Sequence, residues 1–116
     1  MSYMLLIVEP SGQRDARTLQ QGKEVYQRML DYGESLRVKG VLVDCNSLRS
    51  DDAVRLNVRS GKATFTDGPF AEAKELVGGF FLLNCRTRDE ALEYARQCPA
   101  AEWATIEVRG VGPCYL

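Results

Sequence analysis

The sequence predicts an α+β fold: an antiparallel sheet with two helices on one face and a β-hairpin inserted between them. Three patterns carry this expectation. Segments of period two and of helical period follow one another as strand, helix, strand, hairpin, strand, helix, strand. Val54 to Phe65 turns back on itself across Ser60-Gly61. The run Gly78 to Cys85 is apolar on both faces, as a central strand requires.

Tyr3 to Val8 is an apolar run that reads as a strand covered on both faces, and Glu9-Pro10-Ser11-Gly12 breaks it. A helix is expected from about Ala16 to Lys39. Leu19, Tyr26 and Gly33 recur every seven residues beside Gly22, Met29 and Leu36, so all six share one stripe. Each helical glycine costs about 1 kcal/mol relative to alanine. Their place on the apolar stripe predicts that both lie hard against the sheet. Gly40 caps the helix end.

Val41, Val43 and Cys45 alternate with Leu42, Asp44 and Asn46 in a second strand. In the hairpin, Val54, Leu56 and Val58 alternate with Arg55, Asn57 and Arg59, and Ala63 and Phe65 answer on the return arm. One hairpin face is therefore expected to be wet. Thr87-Arg88-Asp89-Glu90 is a capping box opening a second helix, with Ala91, Leu92, Ala95 and Cys98 inward and Pro99 at its end. Ala104, Ile106 and Val108 alternate in the last strand. With right-handed crossovers this order gives a ferredoxin-like βαββαβ arrangement with an inserted β-hairpin. Both helices then lie on one sheet face. The other face is also apolar, which predicts a homodimer that buries it.

The totals are those of a single domain over residues 1–116. A chain of 116 residues buries roughly 65% of the surface it exposes when unfolded, enough for a core without disulfide or metal. Apolar residues at 45% and charged residues at 27% exclude a disordered chain. A formal net charge of -1 offers no field for a phosphate backbone, so nucleic acid is not an expected partner. No apolar run approaches the ~20 residues of a membrane span, and no segment reads as a secretory signal. The four cysteines, Cys45, Cys85, Cys98 and Cys114, form no Cys-x-x-Cys pair, and the chain has no histidine, so a zinc site is not expected. Cys45 and Cys85 read as buried thiols, with Cys98 and Cys114 nearer the surface. Free thiols and the missing signal point to the cytoplasm.

The densest cluster of functional residue types is Thr66 to Phe80, which holds Asp67-Gly68-Pro69-Phe70, then Glu72, Lys74 and Glu75, then Gly78-Gly79. This run closely resembles the signature of the DGPF branch of the YCII-related family. Tyr3 to Ile7, Gly40 to Val43 and Asp89 to Glu93 fall in the family order, so the resemblance covers nearly the whole chain. It implies a dimeric α+β barrel; no cofactor is expected. Relatives in that branch are often encoded beside, or fused with, sigma factors of the extracytoplasmic-function type, which implies a regulatory role and a sigma-factor partner. YCII proteins proper have a His–Asp pair proposed as catalytic. Without a histidine, that pair is not intact here.

Asp67 has two readings. As a turn former it accepts hydrogen bonds from nearby amides while Pro69 fixes φ and Phe70 anchors the loop in the core. As a site residue it is a general base at a cleft mouth, with Lys74 as electrostatic stabiliser. Glu72, Lys74 and Glu75 read either as a polar helical turn opened by Pro69 or as ligand contacts beside Gly68, Pro69 and Phe70. The pair Gly78-Gly79 opens a strand rather than a helix, which favours close approach of another backbone at Gly79 over a phosphate loop. Arg49, Arg55 and Arg59 form either a basic lip or a solvated face. Two functions follow: a small-ligand-binding or regulatory interaction module, or a cofactor-independent enzyme with Asp67 as base.

Overall fold

The computed structural model describes residues 1–116. The apolar alternation of the first segment produces β1 (Ser2–Pro10), with Tyr3, Leu5 and Ile7 buried beneath the helices. The strand continues through Glu9 and Pro10, beyond the break expected at Glu9. Next come α1 (Leu19–Val38), β2 (Leu42–Ser47), β3 (Val54–Arg59), β4 (Lys62–Asp67), β5 (Glu75–Asn84), α2 (Arg88–Gln97), a 3-10 turn (Pro99–Glu102) and β6 (Thr105–Gly110). The main sheet has the order β2-β5-β1-β6 and is antiparallel throughout, the ferredoxin-like order expected from the sequence. No helix is long and apolar enough to cross a membrane.

Local chemistry explains the helix ends. Thr18 caps α1: its hydroxyl accepts from the Gln21 amide at 3.1 Å and the Gln21 side chain accepts from the Thr18 amide at 2.9 Å. At α2 the reciprocal box expected from Thr87 and Glu90 is only half made. The Thr87 hydroxyl accepts from the Glu90 amide at 3.2 Å, but the Glu90 carboxylate accepts from the Arg86 amide instead. Ala91 and Ala95 face inward as expected, whereas Leu92 is at the surface. Cys98 is buried rather than near the surface, because the 3-10 turn folds over it.

The core lies between the sheet and the C-terminal half of α1 together with α2. Tyr32 meets Phe81 edge-on, with ring centroids 5.1 Å apart, and its hydroxyl donates to the Tyr94 carbonyl at 2.6 Å. On the other sheet face Met4, Leu6, Val8, Phe80 and Leu82 form a half-buried apolar stripe. The edge strands flank it with Asp44, Asn46, Glu107 and Arg109.

The β3–β4 hairpin forms a sheet of its own, with Leu56 opposite Phe65 and Val58 opposite Ala63. Ser60 (φ 52°) and Gly61 (φ 76°) both adopt the left-handed conformation that a tight hairpin turn demands. The expected single wet face is corrected: both faces are exposed, with Phe65 at 68%, because the ribbon stands away from the sheet. The molecule is accordingly flat, 45 × 42 × 18 Å. Its radius of gyration is 16.0 Å, against about 13 Å for a compact domain of this length.

Candidate functional site

Glu9 continues the buried period of Tyr3, Leu5 and Ile7, which carries a carboxylate to a position only 5% exposed. A buried carboxylate needs a partner. Arg14 supplies it from the turns that join β1 to α1. Its Nη2 donates to Glu9 Oε1 at 2.6 Å, and its Nε donates to Oε1 at 3.0 Å and Oε2 at 3.2 Å. The same guanidinium donates to the Gly78 carbonyl at 3.1 Å and to the Leu48 carbonyl at 2.7 Å. One planar fork thereby ties β1, β5 and the exit of β2 together.

The glycine pair makes room for this arrangement. A Cβ on Gly78 would land on the Glu9 carboxylate and lie 2.7 Å from Arg14 Nη2. A Cβ on Gly79 would meet the Asn46 carbonyl of β2 at 2.8 Å. The close backbone approach expected at this pair therefore occurs within the chain itself.

Above the pair, the first half of α1 stands off the sheet and leaves a cleft of about 890 Å³. Ile7 and Phe81 line it from the sheet, Tyr26 and Met29 from the helix, and Trp103 from beyond the 3-10 turn. Gln13 donates to the Trp103 carbonyl at 2.7 Å, which fixes that wall to the β1–α1 connection. Gly33 lies hard against the sheet as expected, its Cβ position 3.4 Å from Phe81. Gly22 does not. A Cβ there would meet nothing within 4 Å, because the helix axis has diverged from the sheet and the glycine borders open cleft.

The signature loop lies elsewhere. Asp67 ends β4 opposite Val54, is exposed, and lies outside the cleft lining. Its carboxylate makes neither the local amide hydrogen bonds of a turn former nor an ion pair with Lys74. The Gly68 amide donates to the Ala53 carbonyl at 2.8 Å, and the Gly68–Pro69 bond is cis. Phe70 is not in the core. It lies half-buried under the Arg55 guanidinium, 3.9 Å from the ring centroid. The helical turn expected at Glu72, Lys74 and Glu75 is absent: Glu72 lies in a turn and Glu75 already belongs to β5. This stretch is held by Ser11, whose amide donates to the Lys74 carbonyl at 2.9 Å and whose hydroxyl donates to the Ala73 carbonyl at 2.9 Å. Arg49 pairs with Asp51 instead of joining Arg55 and Arg59 in a basic lip. Of the signature-run candidates from the sequence, only the Gly78-Gly79 pair borders the cleft.

Burial pushes the Cys98 thiol up to about 11. Desolvation, with Asp44 nearby, also raises that of Cys45, which lines the cleft. Neither is an activated nucleophile. Arg14 went unremarked in the sequence and Glu9 was read only as part of a strand break, although an acid at the next position of the buried alternation was the available signal.

The YCII-related domain matches residues 1–114. The chain belongs to the YCII-related family. It is similar to the uncharacterized protein R00369 of Rhizobium meliloti (strain 1021), with 44% identity over 59 residues. That match covers 49% of this chain and 48% of the relative, so the chain spans about half the length of the relative it matches. Its fold is similar to that of 5-chloro-2-hydroxyhydroquinone dehydrochlorinase (TftG) from Burkholderia phenoliruptrix AC1100, solved in complex with 2,5-dihydroxybenzoquinone. The TM-score is 0.57 at 16% identity, over 97% of this chain and 94% of that one. At this identity the likeness is one of fold.

Proposed function

We propose that this YCII-related protein is a homodimeric small-molecule-binding module whose ligand occupies the cleft between α1 and the sheet. The observation that carries the proposal is the cleft itself: about 890 Å³, largely apolar walls, and one buried ion pair at its floor. Binding sites combine these features, an apolar enclosure with few fixed polar groups. Glu9 is engaged by Arg14 through both oxygens, which fixes it in place to orient a ligand. Dimerisation is supported by the flat shape and by the apolar stripe with its polar flanks, the anatomy of an interface. In this reading the exposed hairpin and the signature loop, Asp67 to Glu75, are the surface offered to a protein partner, such as a sigma factor of the extracytoplasmic-function type, and the protein acts in the cytoplasm.

The test is thermal-shift screening of wild type and Gly22→Phe against a metabolite panel, with the fluorescence of Trp103, the single tryptophan, as second readout. A true ligand raises the melting temperature of the wild type and perturbs Trp103, and does neither in the filled variant. A compound that stabilises both forms equally would move the site elsewhere.

The alternative is a cofactor-independent enzyme with Asp67 as general base and Lys74 as stabiliser. The dehydrochlorinase supports it by likeness of fold alone. The exposure of Asp67 outside the cleft favours the binding reading. Asp67→Asn separates them: loss of turnover in a folded protein would establish the enzyme.

A further inference from the structure

The charges around the cleft are not those of the chain as a whole. The chain carries a formal net charge of -1, yet four cations and two carboxylates line the cleft. Two of the cations are spoken for: Arg14 is paired with Glu9, and Arg37 with Glu34. Arg17 and Lys23 remain, at the end of the cleft where α1 begins. Arg17 makes one hydrogen bond of 3.3 Å to the Gln13 side-chain oxygen and stacks 5.7 Å from the Trp103 ring centroid, and Lys23 makes no ion pair. The first turn of α1 carries no acidic residue, so its helix dipole adds to the same positive field.

Glu9 and Arg14 neutralise each other on the cleft floor, at the end of β1 that leads into α1. Glu9 Oε2, which accepts only the 3.2 Å contact, is the polar atom best able to take a further hydrogen bond. The remaining walls are largely apolar, with Ile7 on the sheet across from Tyr26 and Met29 on the helix.

We propose that the cleft takes a small organic anion with an apolar body, a carboxylate or sulfonate on an aromatic or short aliphatic frame. Its charged end lies at Arg17 and Lys23 and its body lies against Ile7, Tyr26 and Met29, with Glu9 Oε2 as an acceptor for a hydroxyl on the ligand. The inference rests on the cleft being the binding site and adds the class of molecule bound there.

A matched pair of dyes tests it on the full chain. 1-Anilinonaphthalene-8-sulfonate and N-phenyl-1-naphthylamine share one aromatic frame and differ in the sulfonate. Both are titrated into wild type, the double variant Arg17→Gln/Lys23→Gln and Gly22→Phe, following energy transfer from Trp103. The anionic dye should bind the wild type about five-fold more tightly than the neutral one, the scale of two partly exposed charge contacts. That advantage should shrink at high salt and vanish in the double variant, whose affinity for the neutral dye is unchanged. Gly22→Phe should bind neither; Gly22→Leu replaces it if circular dichroism shows the phenylalanine variant unfolded. Equal or tighter binding of the neutral dye by the wild type, or an undiminished preference in the double variant, would overturn the anion assignment and leave the cleft standing. Unchanged binding of both dyes by the filled variant, or failure of the wild type to bind either, would overturn the cleft itself.

Discussion

The two halves of α1 carry the same pattern and meet different surroundings. In the C-terminal half Tyr32, Gly33 and Leu36 are buried on the sheet. In the N-terminal half Leu19 and Tyr26, two heptads and one heptad before Gly33 on the same stripe, are 76% and 52% exposed, and Gly22 borders open space. A hydrophobic stripe fixes which side of a helix turns inward. The distance to the sheet is set by what stands beneath: packed side chains under the second half, and under the first an open cleft with the Arg14–Glu9 strut at its floor. A glycine at a packed position has a steric reason. A glycine facing a void, kept despite its cost in a helix, has instead the effect of keeping that void open.

The largest expected effect falls on the packed half. Leu36 is 1% exposed, and Leu36→Ala should lower unfolding free energy by about 3 kcal/mol in denaturant titration. Leu19→Ala on the lifted half should change it by less than about 0.5 kcal/mol. Equal costs would erase the distinction between the halves. Next is the strut. Glu9→Gln removes one partner of the buried pair, and because the Arg14 side chain is 33% exposed and can recover some hydration, a loss of about 2 kcal/mol is expected. A similar loss of Trp103 signal on ligand binding would sharpen the link between strut and cleft. A smaller change, of opposite sign, is expected for Gly22→Ala, which should stabilise by up to about 1 kcal/mol because nothing opposes the new methyl.

The smallest effect near neutral pH comes from the packed groups that titrate. Burial raises the Cys98 thiol from its ordinary 9.0 to about 11 and pushes Tyr32 above its ordinary 10.0. Each pKa is raised in the fold, so the stability tied to it is complete below the unfolded value and is lost as pH climbs toward the folded one. The melting temperature should therefore respond little to these groups up to about pH 9 and fall above it. A marked fall already between pH 7 and 8 would contradict the burial of these groups.

Much of the fold was legible because alternation and helical spacing are local. β1, β5, the hairpin turn at Ser60-Gly61 and the inward Ala91 and Ala95 all follow from short-range pattern. The cleft was not, because Gly22 and Gly33 look alike until the helix axis is known. Glu9 was read as part of a strand break, since Pro10 and Gly12 beside it are strong turn signals. Its place in the period of Tyr3, Leu5 and Ile7 pointed inward all the same. The signature loop drew attention by its density of functional residue types. Asp67 and Phe70 are both away from the core, because the hairpin that carries them leaves the sheet.

The divergence of α1 from the sheet is tested most directly by placing the same bulky residue at both glycines and measuring unfolding free energy. Gly22→Leu should be at least as stable as the wild type, its side chain entering the cleft. Gly33→Leu should lose at least about 2 kcal/mol, because even its Cβ already meets Phe81 at 3.4 Å. Equal destabilisation at the two positions would mean that α1 is packed along its whole length and that there is no cleft for a ligand to occupy.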